Sequence, residues 1–124
     1  MKKFLLITLL MVFVAPMVAS AAENTKLPRD FSLEIKPGKI HEECIELKKD
    51  AEISYRFKAS QPMPFNIHFH TGKGKDEKVE YPVKIDKADA KDDVLRVAFD
   101  EHYCWMWSNK TGQAVSLQGQ IGAK

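Results

Sequence analysis

The strongest constraint on this chain is a stretch whose side chains change character at every step. Along His102-Tyr103-Cys104-Trp105-Met106-Trp107-Ser108-Asn109, a period of two puts Tyr103, Trp105 and Trp107 on one face and Cys104, Met106 and Ser108 on the other. A helix would instead group every third or fourth residue. The same alternation recurs in Phe31-Ser32-Leu33-Glu34-Ile35, in residues 40–47, in Ile53-Ser54-Tyr55-Arg56-Phe57 and in Phe65-Asn66-Ile67-His68-Phe69-His70. It returns at Leu95, Val97 and Phe99, and at Val115, Leu117, Gly119 and Ile121. No long apolar stripe of period 3.6 interrupts the series. The pattern predicts an all-β domain, an antiparallel sandwich of about seven to eight short strands.

Turn residues divide these segments. Pro37-Gly38-Lys39, Lys48-Lys49-Asp50 and Asn109-Lys110-Thr111-Gly112 read as turns. Ser60-Gln61-Pro62-Met63-Pro64 reads as a break between two strands, and residues 71–78 as a flexible loop or long hairpin. Residues 79–85 form a strand in which Pro82 cannot donate to a ladder, which places it at an edge or a bulge. Residues 86–93, charged and alanine-containing, read as one helical turn or a loop.

The chain opens on Met1-Lys2-Lys3, continues through an apolar run from Phe4 to Val18 and reaches Ala19-Ser20-Ala21-Ala22. A short positive start, an apolar middle and a small-residue end describe a secretory signal peptide over residues 1–22. The run is shorter than the ~20 residues that span a bilayer, so no membrane span is expected after cleavage. Residues 23–30, polar and containing Pro28, read as a flexible mature N-terminus, and residues 31–122 as one domain. Cleavage leaves roughly 100 residues, the size of a single core. The whole chain carries 19 Lys+Arg against 17 Asp+Glu, and the excess is Lys2 and Lys3. The neutral remainder lacks the basic footprint of a nucleic-acid binder. The expected location is periplasmic or secreted.

Two cysteines, Cys44 and Cys104, are present. In an oxidising compartment an even pair is most simply one disulfide. The alternative is two free thiols acting as metal ligands or a redox pair, without the close spacing of a redox motif. Cys44 shares its phase with Glu42 and Glu46, which favour solvent. A bridge would therefore lie on an outer face, and Trp105 and Trp107 would point into the core. The opposite orientation would present both tryptophans as a stripe for stacking on a sugar or peptide.

Glu43-Cys44, a Lys/Asp turn, Ile53-Ser54-Tyr55-Arg56-Phe57, Phe65-Asn66-Ile67, then Tyr103-Cys104-Trp105-Met106-Trp107-Ser108-Asn109 and Val115-Ser116-Leu117 together resemble a GOLD domain, the Golgi-dynamics β-sandwich of vesicle cargo receptors. The resemblance covers roughly residues 31–121. It implies a sandwich, a bond between Cys44 and Cys104, and a general binding-module role. Only Gly122-Ala123-Lys124 follow, so no counterpart of the coiled coil, membrane helix and sorting tail of those receptors is expected, and trafficking is not carried over.

The chemistry-bearing candidates are few. His68 and His70 are two apart and share one strand face, close enough for two imidazoles to hold one ion. Met106 and His102 belong to the outward phase of their own strand. His with Met suits copper, Met especially Cu(I), whereas His with carboxylates suits zinc. The alternative for His68 and His70 is a solvated strand face. His41 among Glu42, Glu43 and Glu46 reads as a solvated charged strand. Asn109-Lys110-Thr111 fits a glycosylation sequon. No nucleophile elbow, zinc-protease helix, P-loop or dinucleotide fingerprint occurs. Two functions are expected: a non-enzymatic binding or adaptor module for an envelope protein or ligand, or a metal-binding protein, copper first, using His68, His70, Met106 and His102.

Overall fold

The computed structural model describes residues 26–124. The expected signal peptide and the first residues of the mature N-terminus lie outside them. Six antiparallel strands follow one another: β1 (Arg29–Ile35), β2 (Ile40–Leu47), β3 (Glu52–Thr71), β4 (Lys78–Arg96), β5 (Glu101–Ser108) and β6 (Val115–Ala123). The order is β1-β6-β3-β5-β2, with β4 along β3.

β3 is the spine. Its first half, Ile53 to Ala59, pairs with β6, and Phe65 to His68 pair with β5. β4 accompanies both halves on the other side. The sheet therefore folds over the middle of β3 into two half-sheets, β1-β6-β3-β4 and β2-β5-β3-β4. Register shifts between Lys58 and Met63 and between Met63 and Phe65 mark the corner. Extra residues on one strand bend it and raise its twist, which is how a single ladder turns a corner.

This corner corrects the expected strand count. Residues 53–57 and 65–70 are parts of one strand, because Ser60 to Pro64 bulge without ending it. Residues 86–93 are strand and not a helical turn or loop. Asp92, Lys91 and Ala90 pair with Arg56, Phe57 and Lys58, and tertiary pairing overrides weak local preference. Pro82 lies on an edge strand, opposite the register shift between Ile67 and Phe69. Arg29 and Asp30, expected in the flexible N-terminus, begin β1.

The inward phase fills the space between the half-sheets. Tyr103, Trp105 and Trp107 are almost wholly buried, with Tyr55, Phe57, Phe65, Ile67 and Leu117 around them. Trp107 meets Phe31, Phe65 and Phe57 with ring centroids 5.1, 5.3 and 5.4 Å away. A buried tryptophan removes about 200 Å² from water, on the order of 5 kcal/mol of apolar burial. Cys44 and Cys104 are direct cross-strand partners on the outer face and form the disulfide. Pro37 and Gly38 make the β1–β2 turn, closed by Lys39 N donating to Lys36 O at 3.1 Å. Gly38 takes φ 73° there, the conformation that the third residue of such a turn requires.

Candidate functional site

Cross-strand pairing assembles the outer face of the β2-β5-β3-β4 half-sheet in rows. Glu42 lies opposite Met106, Met106 opposite Asn66, and Asn66 opposite Lys84. In the next row Cys44 lies opposite Cys104, and Cys104 opposite His68. His70 continues the face along β3 beside Val79, and His102 continues it along β5 opposite Glu46. All four expected metal-site residues thus share one face.

At its centre His68 is not solvated. It is only 6% exposed, beneath neighbours that include Tyr81 and His70, whose ring centroids lie 5.9 and 5.5 Å away. Its Nδ1 is 2.7 Å from Asn66 Oδ1. An amide oxygen only accepts, so Nδ1 carries the hydrogen and Nε2 holds a lone pair. Nε2 faces Glu42 Oε1 at 3.8 Å. Burial lowers the His68 pKa below its ordinary value; Glu42 partly raises it again, and His70 lowers it further. His68 is therefore neutral at pH 7, and its lone pair looks toward a carboxylate. A proton or a cation between them would be stabilised by both groups.

His70 is half-exposed and turns its Nδ1 to Glu77 Oε1 at 3.2 Å. Met106 is the cross-strand neighbour of both Asn66 and Glu42. Among the described residues no three His, Cys, Asp or Glu side chains converge as a metal site. The face thus gathers His68 with Asn66, Glu42, His70 and Tyr81, and Met106 and His102 lie on the same face. Asn66 shares the phase of His68 along β3, whereas Glu42 and Tyr81 escaped sequence reasoning because the β2-β5-β3-β4 order is a tertiary fact. Only the His-x-His phase signalled the place.

Two further polar groupings stand elsewhere. Glu43 and His41 are not a solvated strand face. Glu43 Oε2 accepts from Arg29 Nη1 at 3.1 Å, and Glu43 Oε1 lies 3.0 Å from His41 Nε2. His41 stacks on Trp107, 6.0 Å between centroids. These residues take the inward phase of β2 at the rim, where β1 and β2 approach, and close the core with an ion pair. Arg29 also donates to Cys44 O at 3.1 Å.

The second grouping is a concavity of about 840 Å³ on the outer face of the β1-β6-β3-β4 half-sheet. Two rows line it. Asp30, Gln120, Arg56 and Asp92 succeed one another across the four strands, as do Ser32, Gln118, Lys58 and Ala90. Gln120 donates to Asp30 at 2.8 Å. The polar phase of each strand is legible in the sequence, but its convergence needs the strand order.

No known protein family matches the sequence, and no curated protein matches it. Among solved structures the chain is similar to a de novo designed double-stranded beta-helix, with TM-score 0.41 and 10% identity over 75% of this chain and 97% of the designed one.

Proposed function

We propose that this chain is an exported, non-enzymatic binding module of the periplasm or cell envelope. The observation that supports this reading best is the 840 Å³ concavity with its two polar rows. Its size lies in the range of ligand sites. Its walls offer two acids, Asp30 and Asp92, two amides, a hydroxyl and the cations Arg56, Lys58 and Lys91, a set suited to an extended polar ligand such as a peptide segment of an envelope protein. The disulfide and the signal-like residues 1–22 fit an oxidising compartment.

The test is a pull-down of envelope extract with the mature, oxidised protein, compared with an Arg56→Glu/Lys58→Glu variant. Both side chains are exposed, so the fold should persist. A partner held by the wild type and lost from the variant supports the reading. A partner held equally by both removes the concavity as its site.

One observation favours a second reading, a metal-binding protein with copper first. The Nε2 lone pair of neutral, oriented His68 faces Glu42, the form in which imidazole ligates a metal. His70, Met106 and His102 share that face. Anaerobic titration with Cu(I), and separately with Zn(II), would follow tryptophan fluorescence and bound metal. One tight equivalent, lost in a folded His68→Ala/His70→Ala variant, supports it. Non-stoichiometric uptake removes it.

A further inference from the structure

β4 is the longest unguarded feature of the fold. Among the described residues it pairs only with β3, so its outer edge is open from Lys78 to Arg96. An open edge presents backbone donors and acceptors to any strand that can approach it. Its side chains decide which strand that is.

We propose that the edge pairs with the same edge of a second copy, antiparallel, with the two-fold axis at Ala88. An antiparallel pair related by a two-fold normal to the sheet places one residue opposite its own counterpart. With Ala88 there, Lys87 faces Asp89 of the second copy and Lys84 faces its Asp92, and symmetry doubles each pair. No like charges meet from Val83 to Asp93. One step toward the N-terminus sets Lys87 against Lys87. One step toward the C-terminus sets Asp89 against Asp89, Lys87 against Lys91 and Asp86 against Asp92. The charge pattern therefore selects one register from its neighbours.

The shape of the strand agrees. Ala88 is buried, and Ile85 and Lys91, three residues to either side, are both half-buried. The inward phase thus slips once on each side of Ala88, and the bend of β4 is symmetric about it. A two-fold along the local sheet normal preserves such a bend in both copies. Lys84, Lys87, Asp89 and Asp92 are all exposed. Pro82 carries no N–H and bounds the continuous ladder, which keeps it finite.

This inference does not rest on the binding role proposed above, although Asp92 also lines the concavity. It is tested by sedimentation of the mature, oxidised protein at low salt over a wide concentration range. The expected result is a monomer–dimer equilibrium that weakens as salt rises. K84E sets a carboxylate against Asp92 of the second copy, and D92K sets an ammonium against its Lys84. Each variant alone should therefore weaken dimerisation about tenfold or more. Mixed one to one, the two single variants restore both opposite-charge pairs and should form a heterodimer about as tight as the wild type. The double variant K84E/D92K should also dimerise. Thermal melts of each monomer confirm that the fold is intact. A wild type that stays monomeric throughout, or dimers that ignore these charge swaps, would overturn the proposal.

Discussion

At the scale of single residues, Asn109 carries more structure than its place in a turn predicts. It is 1% exposed. Its amide nitrogen donates to Ile35 O at 2.8 Å and Gln113 O at 2.7 Å, and its Oδ1 accepts from Thr111 N and Oγ1 at 2.9 and 2.7 Å. Its backbone bonds Gly38 and Lys39. The side chain that fits a glycosylation acceptor is thus a buried clasp between the end of β1 and the β5–β6 turn. Asn109→Ala should destabilise the protein by about 2–4 kcal/mol, measured by urea unfolding, because buried carbonyls lose their donors. His68 sets a pH dependence whose sign follows from its lowered pKa. Above the ordinary value of 6.5 the ring is neutral folded and unfolded, so it contributes nothing. As pH falls below that value the unfolded chain takes up the proton first, and stability declines until the folded ring is protonated too. Melting temperature should fall between about pH 7 and 5, and His68→Gln should flatten that slope.

At the scale of elements, β6 shows how a weak position becomes a required one. Gly119 interrupts the apolar phase of a strand, where glycine ordinarily costs stability. Here it lies between Phe31 of β1 and Phe57 of β3. A Cβ at Gly119 would run into the Arg56 carbonyl oxygen and the Phe31 ring. The glycine admits the Phe31 ring over the β6 backbone and lets that ring reach Trp107. Gly119→Ala should lower stability by about 1–3 kcal/mol, the range for an overpacked core, and Phe31→Leu in the same chain should recover part of it. The pairing of β3 was legible only in halves. Its two alternating segments were clear in the sequence, but their fusion depends on Ser60 to Pro64 bulging against β4 and not turning away from it.

At the scale of the molecule, one covalent bond joins the two strands of the β2–β5 edge, and its partners are 60 residues apart in sequence. In the chain-entropy account a closed loop of this size stabilises by about 4 kcal/mol, chiefly by restricting the unfolded chain. Both cysteines lie on the outer face, so Cys44→Ala/Cys104→Ala opens no cavity in the core. The variant should lose about that much stability in urea unfolding while keeping a native far-ultraviolet spectrum.

The sequence by itself determined the all-β class, the common face of Tyr103, Trp105 and Trp107, the shared phase of Cys44 with Glu42 and Glu46, and the phase of His68 and His70. Each follows from the period of two, which is local and needs no knowledge of neighbouring strands. It did not determine which polar phases meet. The burial of His68 under Tyr81, its approach to Glu42, the rim ion pair of Arg29 with Glu43, and the two rows of the concavity all depend on strand order. That order is set by long-range pairing along β3, where one bulged corner decides which strands lie side by side.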